Sequence, residues 1–117
     1  MRKTRVLYID PDQMRRIHIG SMLRLAGLDY LSCSNLESGK LTFIQNGPFD
    51  YVICVSSVKG RSSGDGLLYL IELNRRETRQ RVIVLMNSDV AADEVNLIPA
   101  VDSRSSTMVK ELLKLLN

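Results

Sequence analysis

Val6 to Ile9 is an unbroken apolar run with a β-branched residue at each end, followed at once by Asp10, Pro11 and Asp12. Apolar residues without polar alternation suit a strand buried on both faces of a parallel sheet, and the Asp-Pro-Asp cluster suits a turn into a helix. Pro11 and Asp12 mark a helix entrance and Gly27 its exit, which predicts a first helix over residues 12–26. Its core stripe is Ile19, Met22, Leu23 and Ala26.

The same alternation continues. Tyr30 to Ser34 reads as a second strand, and Leu36 to Gln45 as a second helix stopped by Asn46, Gly47 and Pro48. Tyr51 to Val55 is a third strand without a polar residue, and residues 56–64 form a Ser- and Gly-rich loop. Asp65 to Arg75 is a third helix and Arg81 to Leu85 a fourth buried strand. Val90 to Asn96 has room only for a short fourth helix, and Leu97 to Val101 is a weak strand because it contains Pro99. Thr107 to Leu116 is an amphipathic last helix behind capping serines.

Strands alternating with helices imply a parallel sheet covered on both faces, and right-handed crossovers leave few topologies. Five strand-helix units in 117 residues fit a single flavodoxin-like α/β domain over residues 1–117, strand order 2-1-3-4-5, with a short fourth helix. No internal repeat or linker interrupts it.

Composition narrows the function classes. The chain is 44% hydrophobic and 25% charged, which excludes a disordered or fibrous protein. Cys33 and Cys54 lie in apolar surroundings and are too few for a zinc quartet or a disulfide framework, so buried free thiols in a reducing cytoplasm are expected. The apolar runs fall far short of the roughly 18–20 residues of a membrane span, and no signal peptide or membrane partner is expected. Net charge is +3, with eight basic and five acidic side chains in residues 1–60. Arg2, Lys3 and Arg5 precede the first strand, while Arg75, Arg76, Arg79 and Arg81 precede the fourth, so a parallel sheet places both groups at one end. That end could meet nucleic acid or an acidic partner, or form a solvated rim. No aromatic residue is interleaved for base stacking, which argues against nucleic acid binding by this domain alone.

The motifs RVLYIDPD, NGPFDYVICV, DGLLYLIELN, RVIVL and VKELLKLL, in that order and spacing, resemble the receiver domain of bacterial response regulators along nearly the whole chain. The resemblance implies phosphoryl acceptance on an Asp at the end of strand three, aided by magnesium on acidic residues after strand one, a Ser or Thr after strand four and a Lys after strand five. Here the first acidic position is Asp10, but the second is Pro11, which has no side-chain oxygen, with Asp12 beside it. The acceptor position holds Val55, and a one-residue slip gives Ser56, whose hydroxyl lacks a carboxylate's nucleophilicity and metal affinity. Met86 stands for the hydroxyl residue, and Ser103, Arg104 and Ser105 stand where the Lys-Pro pair belongs, leaving Arg104 as the local cation. The pattern therefore implies a degenerate, phosphorylation-independent pseudo-receiver that is not an enzyme and needs no cofactor.

Competing readings attach to individual residues. Asp10 and Asp12 form either a weak divalent site or a helix cap beside an inherited remnant. Asp50 precedes strand three and Asp65 opens a helix, so neither replaces the acceptor. His18 is the only histidine and has no second His or paired nucleophile. Gly60 and Gly64 lack the Walker spacing and are followed by Asp65. Ile17 points away from the first helix's core stripe, with Leu25 on a flank. Together with Met108, Leu112 and Leu116 of the last helix they make a candidate interface for a homodimer or protein partner.

The expected role is a signalling, dimerisation or interaction module in two-component or transcriptional regulation, with an output domain outside this chain. The alternatives are a residual magnesium-dependent phosphoacceptor and direct nucleic-acid binding through the basic end.

Overall fold

The computed structural model describes residues 3–56, 65–76, 80–86 and 98–116, without the side chains of residues 56 and 65–68. The element order is β1 (Arg5–Ile9), α1 (Gln13–Leu25), β2 (Asp29–Cys33), α2 (Leu36–Asn46), β3 (Tyr51–Ser56), α3 (Asp65–Arg76), β4 (Arg81–Met86), β5 (Ala100–Asp102) and α4 (Met108–Leu115). The strands form one sheet in the order β2-β1-β3-β4-β5, every pairing parallel. This is the expected flavodoxin-like topology. The short helix expected over 90–96 and the Ser- and Gly-rich loop lie outside the described residues.

Alternating strand residues fill two core layers, because successive side chains of a strand point to opposite faces. Val6, Tyr8, Ile53, Val55 and Leu85 pack with Ile19 and Leu23 of α1 and with Met108, Leu112 and Leu116 of the last helix. Leu7, Ile9, Val52, Cys54, Val84 and Met86 pack with Leu70 and Leu73 of α3. Gly39 lets α2 press onto the second layer: a Cβ there would overlap Cδ1 and, at 2.6 Å, Cγ1 of Ile9.

Local chemistry sets the ends of α1. Asp12 is its N-cap, accepting from the Arg15 N–H at 3.0 Å. At the other end Gly27 takes φ 81°, and the Leu28 N–H reaches back to the Leu23 carbonyl at 3.0 Å, closing a Schellman-type turn. Ala26, expected in the core stripe, is instead the exposed C-cap because the helix stops one residue before it.

The weak fifth strand lies further along the chain than expected, at Ala100–Asp102. Pro99 has no N–H for a ladder, so it contributes only its carbonyl, which accepts from Val84 N–H at 3.0 Å, and the strand begins after it. Beyond β5 the Ser103 N–H bonds the Met86 carbonyl at 2.7 Å. Ser105 then anchors the start of α4, its Oγ accepting from the Thr107 N–H at 3.2 Å.

The expected exposed patch of α1 and the last helix does not form. Met108, Leu112 and Leu116 are 8%, 2% and 4% exposed, because α4 lies beside α1 and its apolar stripe completes the same core layer. Ile17 and Leu25 remain open, at 56% and 81%. Cys54 is buried as expected, whereas Cys33 is only half-buried, its Sγ 3.4 Å from Thr42 Oγ1; both are free thiols. No helix among the described residues is long and apolar enough to cross a membrane.

Candidate functional site at the carboxyl ends of the strands

Parallel strands end together, and the register gathers the positions singled out in the sequence. Ile9 pairs with both Cys33 and Cys54, Val55 with Leu85, Ser56 with Met86, and Met86 with Asp102. Asp10, Val55, Met86 and the turn after β5 therefore share one end of the sheet, where this architecture places ligands.

Asp10 is fully buried, and both of its carboxylate oxygens are engaged. Arg15 reaches back from the first turn of α1 and makes a two-point contact, Nε to Oδ2 at 2.5 Å and Nη2 to Oδ1 at 2.9 Å. The Asp12 N–H donates to Oδ1 at 2.9 Å, and the Tyr8 hydroxyl donates to Oδ2. Arg16 Nη1 adds a bond to the Asp10 carbonyl at 2.8 Å. A bidentate guanidinium with a hydroxyl and an amide supplies the hydrogen bonds that a buried carboxyl group loses on leaving water.

The local electrostatics follow from that cluster. Burial pushes the Tyr8 hydroxyl far above its ordinary pKa, and the hydrogen bond to Asp10 pushes it the same way, so it stays a donor. The hydrogen bond to Asp10 holds the Arg15 guanidinium charged more firmly still, against its partial desolvation. The bond from the Arg15 amide holds the Asp12 carboxyl below the usual range. Cys54, on the other face of the sheet, has its thiol pushed up to about 12, chiefly by burial.

This arrangement does not fit a divalent cation. The Asp10 oxygens are occupied by an internal cation, Pro11 offers no ligand, and Asp12 is exposed and turned to cap α1. No group of three or more His, Cys, Asp or Glu among the described residues could hold a metal ion. Of the two readings of Asp10 and Asp12, the cap accounts for Asp12. Asp10 is more than a remnant, since it is the buried half of an ion pair.

The other positions named from the sequence lie in the core or at the strand ends. Val55 is 8% exposed and belongs to the core layer with Tyr8 and Leu85, while Met86 is buried in the opposite layer. Ser56 ends β3, and its side chain lies outside the described residues. Arg104 is held at the turn after β5: its Nε lies 3.1 Å from Asp102 Oδ1, its Nη2 3.2 Å from Oδ2, and its own N–H bonds Oδ1 at 2.9 Å. The hydrogen bond from the Arg104 side chain holds the Asp102 carboxyl below its ordinary value. The cation that reaches Asp10 is thus Arg15, which the sequence pattern did not single out. A signal was present: the first turn of α1 carries arginine and no acidic residue, against the preference of the helix dipole for negative charge there.

At the opposite end, three of the five described basic residues make contacts within the chain itself. Arg5 Nη1 donates to the carbonyls of Asn46 and Pro48 at 2.9 and 2.8 Å, and its guanidinium lies 4.7 Å from the Phe49 ring centroid. Arg81 Nη1 donates to the Tyr51 hydroxyl at 2.9 Å, and Arg76 pairs with Glu72 at 3.2 Å. Lys3 and Arg75 are exposed, and Arg2 and Arg79 lie outside the described residues. Asp50 accepts the Arg5 N–H at 2.7 Å, far from the carboxyl ends of the strands. His18 is exposed on α1.

Solved structures share this architecture. The chain is similar to the chemotaxis protein CheY4 of Vibrio cholerae (TM-score 0.76, 16% identity, 98% of this chain and 97% of that one). It is similar to a response regulator receiver domain protein from Clostridium thermocellum (TM-score 0.76, 20% identity, 97% and 91%). It is also similar to HP1043, an orphan response regulator of H. pylori (TM-score 0.72, 20% identity, 97% of each chain). No protein-family model matches the chain, and no curated protein does. The likeness is one of fold, and the fold is that of receiver domains.

Proposed function

We propose that this chain is a phosphorylation-independent receiver, a non-enzymatic interaction module of two-component or transcriptional regulation in which binding, to a second copy or to a protein partner, replaces phosphoryl transfer as the signal. The observation that carries this reading is the Asp10–Arg15 contact. In the receiver pattern the acidic residue after β1 serves a cation and an acceptor carboxylate, whereas here it serves an arginine of its own chain, and the acceptor position is the buried Val55. Without an acceptor oxygen or a free acidic pair, the site has neither a nucleophile nor the charge compensation that phosphoryl transfer demands.

The test is incubation with acetyl phosphate and magnesium followed by intact mass, with a parallel NMR titration by magnesium and beryllofluoride. The expected result is an unchanged mass and no saturable shifts around Asp10 and Val55. A gain of one phosphate overturns the reading. Val55→Asp alone should leave the outcome unchanged, since Pro11, Met86 and the Arg15-bound Asp10 would still leave phosphoryl oxygens without partners.

A further inference from the structure

The two outer strands of the sheet differ in how they are guarded. β5 is three residues long, follows Pro99 and ends on Asp102, features that discourage pairing. β2 is five residues long, DYLSC, with neither Lys nor Pro, and its one charged side chain, Asp29, lies 3.5 Å from Arg5. In a parallel ladder the N–H and C=O of one residue point to the same side and alternate along the strand. The Asp29 N–H bonds Thr4 and the Cys33 carbonyl accepts from Asp10, so Asp29, Leu31 and Cys33 face β1. Tyr30 and Ser32 therefore turn their backbone groups outward, with no partner among the described residues. An open cleft of about 490 Å³ runs along this edge, lined by Arg24, Leu28, Tyr30, Leu31 and Ser32.

Exposed apolar side chains lie on β2 and on the two helices that flank it. Among the described residues the exposed large hydrophobics are Met14, Ile17 and Leu25 of α1, Leu31 of β2, and Leu41 and Ile44 of α2. Gly20 of α1 faces Tyr30, since a Cβ there would lie 2.7 Å from the Tyr30 hydroxyl oxygen, and Thr42 of α2 reaches Cys33. At 100° per residue this places Ile17 on the β2 flank of α1, while Leu41 lies on the solvent side of α2.

We propose that the outer edge of β2 pairs antiparallel with β2 of a second copy of this chain, joining the two sheets about a two-fold axis at Leu31. The strand is self-complementary in that register. Tyr30 of each copy exchanges backbone bonds with Ser32 of the other, giving about four new hydrogen bonds. Leu31 meets its counterpart in the closely spaced non-hydrogen-bonded pair, and Asp29 faces Cys33 rather than a like charge. The axis stands perpendicular to the joined sheet, so α1 faces α1 and α2 faces α2, which brings the Ile17 flank toward its own copy. Closed two-fold pairing of this kind buries an edge that otherwise invites open-ended association. The inference rests on the interaction-module reading for its role; the two fail separately, because phosphate uptake is read by mass and pairing by sedimentation.

The test uses the full chain in sedimentation velocity from ~5 to ~200 μM, with Leu31→Lys at the axis and Ile44→Lys as a control on the far flank of α2. The wild type and Ile44→Lys should dimerise, and Leu31→Lys should weaken the dimer by about tenfold or more by setting like charges opposite each other. In a Cys33→Ser background, Leu31→Cys should oxidise to a covalent dimer, because the facing Cα atoms fall within disulfide range, while Ile44→Cys should not. A wild type that stays monomeric throughout overturns the proposal. So does a dimer indifferent to Leu31→Lys, or a failure of Leu31→Cys to cross-link.

Discussion

Arg15 Nε lies 2.5 Å from Oδ2 of Asp10 and its Nη2 lies 2.9 Å from Oδ1, a fork on a carboxylate that is wholly shielded from solvent. Five positions separate the two residues in sequence, and Pro11 and Asp12 shape the turn that folds one back on the other. Asp12 caps the helix that carries Arg15, while its N–H also braces Asp10 at 2.9 Å. The β1–α1 corner is therefore one polar unit inserted at the end of an apolar sheet, and its charge is balanced from within the chain.

Removing one side of that pair should be costly. Arg15→Ala leaves a buried, uncompensated carboxylate, and the expected loss is about 3–5 kcal/mol in urea denaturation. Arg15→Lys should recover only part of it, since an ammonium cannot reproduce the two-point contact. The double change Asp10→Asn with Arg15→Met should be more stable than Arg15→Ala alone, because no charge is left stranded.

The cap of α1 makes an acid-range prediction. The Asp12 carboxyl is held below its ordinary value of 3.8 by the Arg15 N–H, so its stabilising effect is present above the unfolded-state pKa and is lost as pH falls through the lower folded one. Asp12→Ala should be less stable than wild type near neutral pH, and the two should converge as pH drops below about 4. Thermal melts across pH 2 to 7 would check this, and a gap that persists unchanged at the acid end would refute it.

Gly39 and Ile9 form a second coupled pair. Ala is the better helix former by about 1 kcal/mol, yet Gly39→Ala should destabilise by about 1–3 kcal/mol because the new Cβ overlaps a fully packed side chain. Ile9→Val removes the Cδ1 that is struck, so the double variant should be more stable than the sum of the single changes predicts. A denaturation cycle over the four proteins gives the coupling directly.

The last helix and α1 offer a contrast of burial. Leu112→Ala should cost about 2–5 kcal/mol, since its side chain is enclosed in the layer shared with Leu23 and Val101. Leu25→Ala, at an exposed position, should fall within about 0.5 kcal/mol of wild type. Equal losses for the two would contradict the packing of α4 against the sheet.

Hydrophobic patterning by itself determined the strand-helix alternation and the parallel sheet, because buried parallel strands must be apolar on both faces; crossover handedness left a few strand orders, of which the flavodoxin-like one is observed. The identities of Pro11, Val55 and Met86 are read directly from the chain, and no fold can give them a carboxylate or a hydroxyl. Which polar groups meet was decided only in three dimensions. The sequence pointed to Arg104 as the local cation, yet the backbone turn at Pro11 sends Arg15 onto Asp10 while Arg104 stays on Asp102. Periodicity set Ile17 off the core stripe of its helix, and it is exposed, but the same reading placed Leu112 in an open patch, and it is covered. That depended on α1 and α4 lying side by side on one sheet face, where the stripe of α4 is consumed and the flank of α1 is left open. The basic residues before β1 and β4 were legible as a group at one end of a parallel sheet. Their commitment to Asn46, Pro48 and Tyr51 was not, because those contacts join segments tens of residues apart that only the sheet register brings together.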